Sequence, residues 1–115
     1  RPDWPAFDLD PADGFESAAR AGLLLRDRLA DHGLESFPKT SGGRGLHVFV
    51  PLRRGAAQDQ VQAYAAAIAR ELATAYPTVI SVEPKKSRRR APVYVGIMRN
   101  ASGQTIAPPF AVGST

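Results

Sequence analysis

Cysteine is absent from this 115-residue sequence, so disulfide bonds and zinc sites built on thiolates are excluded. That absence fits a reducing cytoplasm. Long hydrophobic runs are also missing, since no segment approaches the roughly 20 apolar residues that cross a bilayer. The first five residues are polar and broken by proline, and we therefore expect no signal peptide. Because Arg1 rather than methionine comes first, we expect the sequence to be a piece of a longer chain.

What the sequence does contain is typical of one small globular domain. Hydrophobic residues make up 43% and charged residues 23%, and we expect residues 1–115 to form a single domain. The net charge of +4 is unevenly distributed, because one short segment carries five basic residues: Lys85, Lys86, Arg88, Arg89 and Arg90. Such a cluster favours an anionic partner such as a nucleotide or nucleic acid, although a solvated basic loop has the same composition. In the first case Lys86, Arg88 and Arg90 are the candidate nucleic-acid contacts.

The periodicity of apolar residues predicts an α+β fold. Alternating patterns predict strands near 6–11, 34–40, 45–52, 78–83, 92–98 and 104–110, and helical spacing predicts helices over 13–32 and 58–75. The order β-α-β-β-α-β, with strands added at the end, is that of the ferredoxin-like or RRM-like arrangement. We therefore expect two helices on one face of a sheet and an open face on the other side.

A glycine-rich turn leads directly into the third predicted strand. Gly42 lets the backbone adopt positive φ, and the Ser41 hydroxyl and neighbouring N–H groups can donate to an anion. Arg44 adds a positive charge, and His47 follows on the strand. This combination predicts a triphosphate-binding turn, although glycine-rich turns without a ligand are common.

Two carboxylates lie close together on the first predicted strand. Asp8 and Asp10 are two residues apart and therefore point to the same face. Their mutual repulsion is relieved by a bound cation, and hard divalent cations prefer oxygen ligands. The pattern predicts a metal site on the open face, which should also carry His47 and position 96. The alternative is a surface strand with two solvated aspartates.

Three segments, in this order, resemble the polymerase domain of bacterial DNA ligase D, a member of the archaeo-eukaryotic primase superfamily. They are Phe7 to Pro11, Lys39 to Val48, and Val93 to Val95 followed by Arg99-Asn100 and Ala107-Pro108. The resemblance spans nearly all of this chain but only about the C-terminal half of the family's polymerase domain.

The resemblance implies a catalytic palm that transfers nucleotides, preferably ribonucleotides, to DNA ends in double-strand break repair by non-homologous end joining. It implies Mn²⁺ or Mg²⁺ as cofactor, and a place in a longer bacterial polypeptide of the cytoplasm and nucleoid. By resemblance, Asp8 and Asp10 are metal ligands. The residues implied to bind the nucleotide are Ser41, Gly42, Arg44, His47 and Arg89.

Two departures from the family pattern bear on activity. The family has a third metal-binding aspartate where this chain has Gly96, and a basic residue common near the end is replaced by Val112-Gly113. The family part that grips the DNA end is also missing. We expect weak nucleotide binding and slow or no polymerisation, with Glu83 as a possible substitute ligand. A palm that binds nucleotide or nucleic acid without chemistry, and a purely structural ferredoxin-like domain, are the alternatives.

Overall fold

The computed structural model of the protein describes residues 5–51 and 58–98. The described chain forms a five-stranded sheet, two helices and one short 3₁₀ turn at Lys86–Arg88. The strands are β1 (Ala6–Pro11), β2 (Phe37–Thr40), β3 (Leu46–Phe49), β4 (Ile80–Ser81) and β5 (Val93–Met98), and the helices are α1 (Phe15–Asp31) and α2 (Gln58–Ala75). The strand predicted over 104–110 lies outside the described residues.

The sheet has the strand order β2-β3-β1-β5-β4. β1 pairs antiparallel with both β3 and β5, β2 pairs antiparallel with β3, and β4 runs parallel to β5. The succession β1-α1-β2-β3-α2-β5 is therefore the ferredoxin-like arrangement, to which β4 is added as an edge strand. The predicted α+β fold is confirmed.

The fourth strand differs from its prediction. A strand over 78–83 was expected, but β4 covers only Ile80–Ser81, and β5 takes the place beside β1. The backbone N–H of Glu83 donates to the Ser81 hydroxyl at 3.0 Å, which turns the chain away from the sheet directly after β4. This local bond competes with continued pairing, as serine side chains often do at strand ends.

Both helices cover the same face of the sheet. The core between them and the strands is aliphatic, with Leu9, Leu25, Leu29, Ile68, Leu72 and Val93 each at most 1% exposed. Burial of apolar surface of this kind is the main force that holds such a domain together. At the surface, His32 joins the two helices: its Nδ1 lies 2.8 Å from the Tyr64 hydroxyl and its Nε2 lies 3.1 Å from a carboxylate oxygen of Glu71.

β1 and β3 approach each other closely just before β3 begins. At Gly45, a Cβ atom would lie 2.9 Å from the carbonyl oxygen of Leu9 and 3.0 Å from the Ser41 hydroxyl. The first of these neighbours is backbone and cannot move without disturbing β1. Glycine is therefore required where the turn enters the sheet.

We predict that Gly45→Ala lowers the free energy of unfolding by about 1–3 kcal/mol, because the added methyl group overpacks the contact with Leu9. Gly43→Ala is the matched control, since a Cβ there meets no atom within 4 Å. Urea denaturation of both variants measures the difference. Equal stability of the two variants would show that β1 and β3 are not held this close at Gly45.

Candidate metal and triphosphate site

The register of the sheet brings three predicted site positions into one row. On one side of β1, Asp8 lies opposite His47 of β3, and on the other side it lies opposite Gly96 of β5. Directly opposite residues of antiparallel strands point to the same face of a sheet. Since Phe7 and Leu9 are buried under the helices, Asp8 and this row lie on the open face.

Asp8 and His47 interact within this row. The Nε2 atom of His47 lies 3.4 Å from a carboxylate oxygen of Asp8, and the two side chains are 25% and 47% exposed. Partial burial raises the pKa of the Asp8 carboxyl above its usual value, His47 opposes that rise, and the nearby Asp10 carboxylate adds to it. The carboxylate is thus costly to ionise, and a bound cation would remove that cost.

Asp10 belongs to the next row on the same face, opposite Tyr94 of β5. It is exposed and lies about 7 Å along the strand from Asp8, two residues at the usual rise. No group of three histidine, aspartate or glutamate residues within residues 5–51 and 58–98 is placed to hold a metal ion. The two carboxylates of Asp8 and Asp10 are oxygen donors of the kind that Mg²⁺ and Mn²⁺ take, one or two at a time, with water and phosphate oxygens completing the shell.

The aromatic ring of Tyr94 lies beside Gly96, where a side chain at position 96 would begin. A Cβ atom at Gly96 would lie 3.0 Å from Cε2 and 3.4 Å from the hydroxyl oxygen of Tyr94. The ring of Tyr94 thus fills the space that a side chain beside Asp8 would enter. Strand alternation predicts that Tyr94 shares the face of Gly96, but the placement of its ring is visible only in the structure.

Glu83, the suggested substitute for the missing carboxylate, makes a hydrogen bond within its own turn. Its Oε2 atom accepts the backbone N–H of Lys85 at 2.8 Å, so the side chain closes its own turn. This local hydrogen bond engages one oxygen of the carboxylate, and the role of Glu83 as a substitute metal ligand stays a prediction.

Arg89 lies on the open face at the β5 side of the sheet. Its guanidinium carbon is 4.1 Å from the centre of the Tyr94 ring, and its Nε and Nη2 atoms donate to the carbonyl oxygens of Glu83 and Pro84, each at 2.8 Å. These contacts fix a positive charge beside the row that contains Asp10. The remaining basic residues of this loop, Lys86, Arg88 and Arg90, are exposed.

The glycine-rich turn connects β2 to β3. The N–H of Ser41 donates to the carbonyl of Gly45 at 3.3 Å, and Gly42 has φ of 85°, a left-handed conformation that favours glycine. Ser41, Gly42 and Arg44 are exposed, while His47 follows on β3 beside Asp8. The structure thus brings the turn to the end of the strand pair that carries His47 and leaves its polar groups accessible.

The comparison with known proteins agrees with this geometry. The family model described as the LigD primase-polymerase domain matches residues 1–114. The chain belongs to this family. The structure of this chain is similar to the solved polymerase domain from Mycobacterium tuberculosis ligase D in complex with DNA. The TM-score is 0.74, and the two sequences are 35% identical over 82% of this chain. The predicted resemblance is confirmed.

Full-length relatives are much longer than this chain. The LigD proteins of M. tuberculosis H37Rv and Pseudomonas aeruginosa PAO1 are each 35% identical, over 92% and 97% of this chain, but only 14% of either relative is covered. The Bacillus subtilis LigD is 30% identical over 96% of this chain and 18% of its own length. This chain also spans 33% of the solved polymerase-domain chain. Among the described residues, no helix is long and apolar enough to span a membrane.

We predict that Asp8→Asn stabilises the metal-free protein at pH 7. Because the pKa of Asp8 is raised in the folded protein, the unfolded chain loses this proton at a lower pH than the folded protein does. The free energy of unfolding therefore falls as the pH rises from the usual aspartate pKa through the folded-state pKa. The asparagine variant lacks this loss, and its advantage should fade below about pH 4. Thermal denaturation at pH 3 and pH 7 measures it.

Glu35→Gln, which neutralises an exposed carboxyl in the loop before β2, is the control for the loss of one negative charge. It should leave the difference between the two pH values unchanged. An Asp8→Asn variant that is less stable than the unsubstituted protein at pH 7 would show that the contact with His47 outweighs the cost of burying the charge.

Proposed function

We propose that this chain is the metal- and triphosphate-binding palm of a primase-polymerase that adds nucleotides to DNA ends during non-homologous end joining. The observation that carries the proposal is the row of Asp8, His47 and Gly96 across three strands, with the glycine-rich turn at its border. Family membership supports the same role. The transfer step is impaired in this chain because position 96 has no carboxylate.

Asp8 and Asp10 would hold Mn²⁺ or Mg²⁺ on the open face. An ion held there would supply positive charge to offset the charge of the triphosphate. The backbone N–H groups of the turn, the Ser41 hydroxyl and Arg44 bind phosphate oxygens. His47, held beside Asp8, donates to the same group from the next strand.

The basic loop supplies the contact to nucleic acid. Three basic side chains are exposed on or beside the 3₁₀ turn, those of Lys86, Arg88 and Arg90. Arg89 instead packs its guanidinium group over the Tyr94 ring of the sheet. Such a cluster binds a phosphate backbone without reading its sequence. The solved relative is described as in complex with DNA, which supports DNA ends as the partner of this chain. A ribonucleotide preference, a longer repair polypeptide and the bacterial nucleoid follow from the family resemblance.

A second candidate function is a palm that binds nucleotide or nucleic acid without catalysis. The position of Tyr94 favours it, because its ring occupies the space above Gly96 where a third ligand would lie. In phosphoryl transfer by two metals, one ion positions the attacking oxygen and the other the leaving group. A site with two carboxylates has donors enough for the triphosphate-bound ion and too few for a well-held second ion.

We predict that the chain binds a ribonucleoside triphosphate only when Mn²⁺ is present, and that the double variant Asp8→Ala, Asp10→Ala loses this binding. The reason is that both carboxylates are needed to hold the ion against water. Isothermal titration calorimetry, with and without Mn²⁺, measures it.

The matched control is the double variant Asp27→Ala, Asp31→Ala, which removes two exposed carboxylates from α1 on the other side of the sheet. It should bind as the unsubstituted chain does. Undiminished binding by the Asp8→Ala, Asp10→Ala variant would rule out the proposed metal site. If the unsubstituted chain does not bind the nucleotide either, the chain has the fold of a palm without its nucleotide-binding function.

A further inference from the structure

The row that contains the candidate metal site continues to the edge of the sheet. Lys39 of β2 lies directly opposite His47, which in turn lies opposite Asp8. Opposite residues share a face in antiparallel strands, so Lys39 lies on the open face with both. Along the sequence Lys39 lies next to the glycine-rich turn, and only the strand register connects it to Asp8.

Distance and position favour contact with the same ligand. Neighbouring strands are about 5 Å apart, which places the Lys39 backbone about 10 Å from that of Asp8. A lysine side chain reaches roughly 6 Å and ends in a mobile ammonium group. Lys39 also precedes Ser41 of the turn by two residues. It therefore lies between the turn, which follows it in the sequence, and the carboxylates of β1, which lie two strands away in the sheet.

The charge of Lys39 has no counterpart in the described part of the chain. Lys39 is exposed, and none of the ion pairs among residues 5–51 and 58–98 includes it. Its ammonium group therefore adds to the positive charge of Arg44 on the turn side of the site, opposite the carboxylates. A ligand that carries an anionic chain and a divalent cation matches this polarity.

We propose that Lys39 is a further phosphate-binding residue of the candidate site, which contacts the triphosphate between the turn and the metal-bearing carboxylates. This inference rests on the proposed function. Lysine suits this position because a compact charge on a flexible stem binds phosphate oxygens without demanding a fixed angle.

A structural role is the competing explanation. β2 forms the edge of the sheet, and lysine on an edge strand prevents pairing with another molecule. That role needs only a charge, and a negative charge serves it as well as a positive one. Phosphate binding needs the positive sign, so the two explanations separate when the charge is reversed.

The test uses inorganic tripolyphosphate with Mn²⁺ as the probe, because it reports phosphate contacts without a base or sugar. We expect Lys39→Gln to weaken binding by about tenfold, the usual effect of losing one charge-assisted hydrogen bond. Lys39→Glu should weaken it further, and Lys39→Arg should retain most of it. Isothermal titration calorimetry at fixed salt gives the constants, and circular dichroism verifies the fold.

Arg20→Gln is the control, since it removes one positive charge from the exposed surface of α1 in the helix layer. It should bind as the unsubstituted chain does. If Lys39→Glu also binds normally while Arg44→Gln binds weakly, Lys39 only protects the edge and the inference is wrong. If the unsubstituted chain does not bind the probe at all, the proposed function fails together with the inference.

Discussion

The pairing of β1 between β3 and β5 is the constraint on which the candidate site depends. It places Asp8 between His47 and Gly96, and it fixes which residues can share a ligand on the open face. A shift of one residue in either pairing would turn these side chains toward the helices. The aliphatic core under the other face opposes such a shift, because Phe7 and Leu9 would then lose their burial. Packing on one side of the sheet thus positions the chemistry on the other.

The same row supports the proposal of one ion at Asp8 and of a weakly held second ion. Partial burial raises the pKa of this carboxyl, and His47 offsets only part of the cost of its charge. A cation bound with a phosphate chain would offset the rest. At position 96 the Tyr94 ring, held under Arg89, fills the space for a third ligand. These features support the proposal that the site holds a metal–triphosphate complex and transfers its nucleotide poorly.

Much of the arrangement could be predicted from local sequence patterns. Strand alternation placed Asp8 and Asp10 on one face, and glycine spacing marked the turn before His47, because both depend on neighbouring residues only. The length of β4 and its position at the edge of the sheet beside β5 were not predictable in the same way, since they depend on pairing between distant segments. The contacts of Tyr94 and Arg89 depend on side-chain packing, which no periodicity encodes. The role suggested for Glu83 stays a prediction, and the hydrogen bond from the Lys85 N–H to its carboxylate could be seen only in the structure.

The most direct test of this account is to restore the carboxylate with Gly96→Asp, using Gly96→Asn as a control of the same size without charge. The measurement is the number of Mn²⁺ ions bound per chain in the presence of a ribonucleoside triphosphate, followed by nucleotide addition to a primed DNA end. The three nearest atoms to a Cβ at position 96 belong to the Tyr94 side chain, so we expect a shift of that ring by a few tenths of an ångström to accommodate the aspartate. The account predicts one ion for the unsubstituted chain and for Gly96→Asn, and a second ion with increased nucleotide addition for Gly96→Asp. Unchanged ion number and unchanged addition in Gly96→Asp would contradict the claim that the missing carboxylate limits this site.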